Sequence, residues 1–249
     1  MKTEISPELA EICGIFCADG CLQKAYVCIW GNITEDREYY DNHLTKIFLN
    51  NFGIILRVHE KTSNSVYGFY TCDRKIGDFF NNLGFKPGNK TYTMRVPKQI
   101  RESEDTEVLA SFLRGFADGD GCLNFDKRYG KYIEFKRKYH NYPRIQIKCV
   151  AKILVEDMCK MLDKLGIKYF TRLHKRVGGN NTVAYSICVE GCARVEKWID
   201  LIGFKNPVYL TKYKIWKRYG FVPPNTSIKQ RYKILKRELS PFVITKMGL

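Results

Sequence analysis

Two aspartates carry the chemistry this chain could perform. Asp19 closes the run ICGIFCADG, residues 12–20, and Asp120 closes LRGFADGDG, residues 113–121. Each ends a stretch that reads as a helix and is followed by a glycine. A carboxylate at a helix C-terminus favours a cation, because the helix dipole is negative there and the last carbonyls lack intrahelical partners. Two such ends side by side would make one oxygen-only site. Magnesium takes one or two carboxylates together with water and phosphate oxygens. A metal held so can activate water and stabilise a leaving oxygen in phosphodiester hydrolysis.

The small residues say how the ends could meet. Gly14 and Gly115 stand five positions before their aspartates, and Ala10 and Ser111 four before those glycines. Two helices with such stripes can bring their backbones together. Gly20 and Gly121 then turn the chain out of each helix.

The order of elements repeats after each motif. Ser6-Pro7-Glu8 starts the first helix, to about Ala18, with a capping hydroxyl and a first-turn proline. Cys21–Trp30 reads as a strand. Residues 36–51 have helical spacing, with Tyr40, Leu44, Ile47 and Phe48 on one face, and Gly53 closes that helix. Ile54–Lys61 and Val66–Cys72 read as a hairpin about the turn TSNS, and Arg74–Leu83 as a helix. Pro97–Thr106 is polar, with Asp105 or Thr106 the next helix cap. The second motif helix, a strand from Cys122 to Lys127, a strand from Arg144 to Val150 and a helix over 152–165 follow. Then come a hairpin of Tyr169–Arg176 with Val183–Glu190 and a helix over 191–202. LGFK at 83–86 answers IGFK at 202–205. The expected divisions are 1–97, a linker 98–105, a second half 106–222, and a basic tail 223–249.

Alternate residues of a strand share a face. Arg57, His59 and Lys61 form a basic stripe in the first half, with Leu56 and Val58 behind it. Arg172, His174 and Arg176 form its counterpart in the second, with Thr171 and Leu173 behind. Such stripes suit a phosphate backbone. Gln23, Asn124 and Asp126 alternate with Leu22, Leu123 and Phe125, and are of types that can read base edges; Lys148 joins them as a candidate contact. The segment Arg128–Tyr142 is basic, rich in tyrosine and without a counterpart in the first half. It reads as a long hairpin suited to gripping phosphates. The final IKQRYKILKREL reads as a basic helix that either lies on DNA or is simply solvated.

The 249 residues carry a net charge of +16 and are 45% hydrophobic. They can bury a real core, and the charge favours a polyanionic partner. The ten cysteines include no CxxC pair and no zinc-finger spacing. They are expected to be free, mostly buried thiols. The N-terminus lacks a signal-peptide core and no apolar run reaches membrane-spanning length. A soluble, intracellular protein is therefore expected, in the cytoplasm of a prokaryote or in an organelle.

The paired motifs, each opening the same series of elements, resemble the LAGLIDADG homing endonucleases in their single-chain, two-motif form. The resemblance covers the chain to about Gly220. It implies an α+β fold of two pseudo-symmetric αββαββα halves, each with a four-stranded antiparallel sheet, and the motif helices at the interface. It implies a monomer that cuts both strands of a long asymmetric duplex. Asp19 and Asp120 would hold Mg2+, or another divalent cation such as Mn2+ or Ca2+, with the carbonyls of Ala18 and Gly119 as further ligands. Lys90 and Lys212 stand where the family places active-site lysines, and Asn32 and Lys152 where it places further polar groups. Cys17 departs from the pattern, standing where the second motif has Asp118. The chain lacks the ends of an intein, so a free-standing, intron-encoded enzyme is expected. Two rivals remain: a maturase that binds intron RNA, and a DNA-binding regulator without catalysis.

Overall fold

The computed structural model describes residues 5–88, 91–128, 139–175 and 183–247. The first motif helix, α1, runs Pro7–Asp19, and the Ser6 hydroxyl accepts the Leu9 N–H at 3.2 Å. Its partner α6 runs Thr106–Asp120, with the Asp105 carboxylate accepting the Glu107 N–H at 2.8 Å. Both starts use an acceptor side chain on an otherwise orphaned donor.

Each motif helix feeds an antiparallel sheet. In the first, β1 (Gly20–Leu22), β2 (Val27–Asn32), β3 (His59–Lys61) and β4 (Val66–Thr71) lie in the order β1-β2-β4-β3. In the second, β5 (Gly121–Arg128), β6 (Tyr139–Cys149), β7 (Phe170–Lys175) and β8 (Val183–Glu190) lie in the order β5-β6-β8-β7. The registers match as well: Gly20 faces Ile29, and Gly121 faces Ile147. The single strand expected over Cys21–Trp30 is instead a tight hairpin, β1 and β2, turned by residues 23–26. The expected strand Ile54–Lys61 pairs only from His59 onward.

Helices cover one face of each sheet. Arg37–Tyr39 (α2) passes through a π turn, Tyr40–Leu44, into α3, Thr45–Phe52. Tyr40, Leu44, Ile47 and Phe48 are buried, as their spacing requires. Gly53, at φ +70°, closes α3 with a conformation that costs glycine little. Next come α4 (Arg74–Asn82), α5 (Lys98–Arg101), α7 (Lys152–Lys164) and α8 (Cys192–Leu201). The segment 98–105, expected as polar linker, buries Ile100 completely through α5. Nearby, Arg95 makes a two-pronged bond to Asp157 of α7, at 3.1 and 3.0 Å.

The repeated LGFK and IGFK segments anchor the chain to the cores. Phe85 packs edge-on against Phe16 of α1, and Phe204 against Trp198 and Tyr209. After IGFK the second half builds α9, Pro207–Tyr219, of 13 residues. After LGFK the described residues of the first half stay non-helical until α5.

One face of the basic tail packs into the fold, while Lys229, Lys233 and Lys236 stay exposed. Its helices are α10 (Ile228–Leu235) and α11 (Pro241–Met247). Ile234 and Arg231 of α10 are fully buried, and an Arg231 Nη1 donates to the Val208 carbonyl of α9. Tyr232 donates its hydroxyl to Glu38 of the first half at 2.7 Å.

Ten free cysteines were expected to be mostly buried. None of the ten is in a disulfide, but only Cys13, Cys17, Cys28 and Cys188 are buried, and Cys72 and Cys192 are exposed. The two exposed thiols lie off the strands, Cys72 just after β4 and Cys192 at the start of α8.

Candidate active site

The motif helices meet backbone to backbone. A Cβ on Gly14 would collide with the Phe112 carbonyl oxygen, and one on Gly115 with the Glu11 carbonyl oxygen. The two collisions are reciprocal, which is the mark of a pseudo-twofold axis between α1 and α6. At the end of the pair, a Cβ on Gly119 would lie 2.7 Å from Asp19 Oδ2 and 2.7 Å from the Ala18 Cβ. The carboxylate of the first motif therefore rests against the last turn of the second. Asp19 is half-buried and Asp120 exposed.

An ion-paired cluster locks this pair. Glu11 of α1 is buried and accepts Arg114 Nε of α6 at 2.9 Å and Nη2 at 2.5 Å. His43, delivered by the π turn, bonds its other oxygen. A π turn inside an α-helix re-aims side chains by one residue, and here it turns His43 onto α1. Burial alone would raise the Glu11 carboxyl. The His43 bond and the Arg114 charge overcome that, so it ends below its usual range.

Asp118, the residue Cys17 replaces in the first motif, faces inward. It is 2% exposed and accepts the backbone N–H groups of Lys205 at 2.9 Å and Asn206 at 3.1 Å. Burial pushes its carboxyl well up, against those donors. Asn206 is the hub: it also donates to the Asp118 carbonyl at 3.1 Å and to Asp36 of the first half at 2.8 Å, while its Oδ1 caps α9. Sequence spacing gave no sign of Asp36 or Asn206. Asn206 directly precedes Pro207, the first residue of α9, and that position is the one local signal that could have marked it as a cap.

Asp120 opens on a cleft of about 350 Å³ that it shares with Ala18, Cys17, Thr91 and Lys148. Lys212 lies elsewhere, in a second cleft with Asn124, Arg144 and Arg231. Its Nζ reaches the Leu123 carbonyl at 3.4 Å and lies 5.9 Å from the Tyr209 ring. Burial lowers its pKa. Burial also raises the Tyr209, Tyr39 and Tyr40 hydroxyls, and the Asp19 charge adds to each. Lys90 and Arg176 lie outside the described residues.

The donor set fits a hard divalent cation. It comprises two carboxylates at helix ends and the Ala18 and Gly119 carbonyls, which follow the last helical bonds, to Phe16 and Ala117. Among the described residues no group of three or more His, Cys, Asp or Glu gathers as a metal cluster.

The predicted contact residues divide. On the second sheet Leu123 and Phe125 are buried while Asn124 and Asp126 face outward, as their alternation requires. Lys148 is exposed on that face. Opposite partners in the register place His59 and Lys61 beside Gly68 and Val66, on the face that carries Trp30, and Arg172 and His174 beside Ser186 and Ala184. So both basic stripes sit on the side away from the helices. Arg57 precedes the paired strand and is exposed. Leu56 behind the first stripe is buried, but Leu173 behind the second is 66% exposed, because β7 runs past its helical cover. Gln23 sits in the β1–β2 turn and donates to Cys21 Sγ at 3.3 Å. Asn32 ends β2, where its Oδ1 accepts the Thr34 and Glu35 N–H groups at 2.8 and 3.1 Å. Lys152 follows the end of β6 by three residues. It opens α7 and pairs with Glu156 at 3.5 Å.

Residues 107–203 match the LAGLIDADG-like domain family. The chain is 25% identical over 193 residues, 78% of its length, to one component of the A-type ATP synthase of Pyrococcus abyssi, but spans only 16% of that protein. Among solved structures it superposes on the homing endonuclease I-DmoI with a TM-score of 0.52, at 14% identity, over 79% of this chain and 95% of that one. A mutant of I-SmaMI gives a TM-score of 0.56 at 12% identity, over 97% and 98%. A structure described as I-DmoI with DNA and Ca gives 0.52 at 14% identity, over 80% and 90%. At these identities the structural likeness establishes the fold, two LAGLIDADG-type sheets around a shared helix pair.

Proposed function

We propose that this chain, with its LAGLIDADG-like domain at 107–203 and a second sheet of the same topology before it, is a site-specific DNA endonuclease. It hydrolyses both strands of an asymmetric duplex seated on the two outer sheet faces. The observation that carries this is the reciprocal glycine contact of α1 with α6, which sets Asp19 against Gly119. Structures described as I-DmoI with DNA and Ca, and with DNA and Mn, show that protein binding such ligands; the same ligand classes suit this chain.

Asp19 and Asp120, with the Ala18 and Gly119 carbonyls, would hold divalent metal, Mg2+ first. Bound there, the metal supplies charge to polarise water and to stabilise the leaving oxygen. The chain's own part is positioning. The α1–α6 contact fixes the carboxylates, and Lys148 places a positive charge in the Asp120 cleft. Lys90 and Lys212 are proposed as further active-site cations. Lys61, Arg57, His59, Arg172 and His174 would meet phosphates, and Asn124, Asp126, Gln23, Asn32 and Lys152 would add polar contacts. The protein would act as a monomer, since one chain supplies both motifs. The tail's basic character suited an intron-RNA role when read alone. In the structure one face of α10 packs on α9, and Lys229, Lys233 and Lys236 stay exposed.

The test is magnesium-dependent cutting of duplexes selected from a random library. Asp120→Asn should abolish cleavage and keep duplex binding measured in Ca2+. Losing even an outer-shell partner of a metal commonly costs about 10–100-fold, and a direct ligand should cost more. Cleavage at the wild-type rate by this variant would remove Asp120 from the site.

A further inference from the structure

The two motif helices end differently, and the difference lies in one buried side chain of the second half. At the end of α6 the last carbonyls have no partner within the helix. The Gly121 N–H bonds the Ala117 carbonyl. The next carbonyl, of Asp118, accepts Asn206 Nδ2 at 3.1 Å. The Asp118 carboxylate is held as well, by the backbone N–H groups of Lys205 and Asn206. So the turn that carries the Gly119 carbonyl and Asp120 is tied down at the residue just before them.

Asn206 is 1% exposed, and its partners fix which way its amide points. Nδ2 donates to the Asp118 carbonyl and, at 2.8 Å, to Asp36 Oδ1 in the first half, while Oδ1 accepts the Val208 N–H at 3.0 Å. A flipped amide would turn its oxygen on a carboxylate and a carbonyl. Asp36 is itself seated. Its Oδ2 accepts the Asn32 N–H at 2.6 Å, and a Cβ on Gly31 would stand 2.7 Å from that oxygen. A chain of bonds therefore runs from the end of β2, through Asp36 and Asn206, to the last turn of α6. The end of α1 is built otherwise. Cys17 stands in the place of Asp118 and offers no carboxylate, and among the described residues no helix between LGFK and α5 supplies a cap.

We propose that Asn206 is a positioning residue for the metal ligands of the second motif: by tying the Asp118 turn to Asp36, it holds Asp120 and the Gly119 carbonyl in a fixed place relative to the first half. This rests on the nuclease reading above, in which those groups hold metal. One end of the helix pair is then anchored across the halves by a side chain that the other end does not share. Slackening that end should slow the cutting of one strand more than the other.

Asn206→Ser separates the two duties of the residue. The serine hydroxyl still caps α9, but it brings no amide to Asp118 and Asp36. The experiment measures Mn2+ binding by the DNA-free protein, from the electron paramagnetic resonance of the unbound ion. It also follows the Mg2+ dependence of plasmid cutting, with nicked and linear products counted apart, and duplex binding in saturating Ca2+. Mn2+ affinity should fall about 10-fold, the low end for a group that holds a metal ligand rather than the metal. The Mg2+ requirement should rise to match, nicked circle should accumulate, and duplex binding should hold. Asp36→Ala cuts the link from its half-buried side and leaves the α9 cap intact. It should shift the same readings the same way but less far, and the double variant should shift them no further than Asn206→Ser alone. A capping role alone would lower thermal stability and leave Mn2+ affinity and the nicked fraction unchanged. That result in a folded single variant overturns the proposal, as does full additivity in the double variant. Wild type that binds Mn2+ but cuts no duplex overturns the nuclease reading instead, and the Mn2+ comparison still decides the role of Asn206.

Discussion

The two outer sheet faces share strand order and register but not chemistry. The first is built from rings. Trp30 meets His59 edge-on at 5.2 Å, His59 meets Tyr70 at 5.9 Å, and Tyr70 meets Tyr26 at 6.5 Å. The second is built from charges. Asp126, Arg144, Glu190 and Arg172 form a chain of pairs at 3.4, 3.8 and 3.4 Å, and His174 bonds Ser186 at 2.9 Å. Two arginines and two carboxylates cancel in that chain, so it holds direction without net charge. The second face therefore suits directed hydrogen bonds to base edges, and the first suits apolar and shape contacts. A common backbone can carry two unlike outer surfaces because the faces away from the helices answer to no core.

The contrast matters for one target only if the two faces move as one body, and the joint is the first place to break it. Glu11→Gln would leave Arg114 without its buried carboxylate. It should cost about 3 kcal/mol, the low end for a broken buried pair, because Arg114 keeps some contact with water. In a chain of this size that lowers the thermal midpoint by about 6–12 °C. The pH dependence has a definite sign. Glu11 is held below its ordinary value near 4.5, so its contribution is complete above that value and fades as pH falls through the folded-state value. Melting curves for wild type and variant should converge in acid; parallel curves from pH 7 to 3 would refute the pairing. Next in size is Arg144→Ala. It should cost about 1–3 kcal/mol of discrimination at a few base pairs of the second half-site, and selected cleavage sites should relax there alone. Relaxation spread evenly over both half-sites would dissolve the contrast between the faces.

Much of this was legible in the residues themselves. The glycines at 14 and 115 with the aspartates at 19 and 120 announced a close helix pair, because only small residues permit carbonyl-to-backbone contact. Alternation in β5 gave the correct outward face for Asn124 and Asp126. The β1–β2 hairpin was hidden because its turn, residues 23–26, contains none of the glycine or proline signals. Asp118 looked like a candidate ligand's neighbour, and only the arrival of Lys205 and Asn206 from far along the chain shows it to be a buried clamp. Arg231 was invisible in the same way. A basic amphipathic helix reads as surface until its packing partner, α9, is known.

The smallest effect tests the first face most directly. Trp30 has no charge to contribute, so Trp30→Ala should leave the salt dependence of duplex binding unchanged. If its ring reads a thymine methyl, replacing that thymine by uracil in a selected target should cost wild type about as much as the tryptophan truncation does. The two changes together should then cost less than their sum, with a coupling of about 0.5–1 kcal/mol measured in a double-mutant cycle. His59 complicates the readout, since its ring leans on Trp30 and loses that support when the indole goes. His59→Ala should therefore share part of the same coupling. Scanning each thymine of the first half-site against both variants locates the contact. Strict additivity at every thymine would leave the aromatic face as packing for the sheet edge, with the base reading done by the charged face alone.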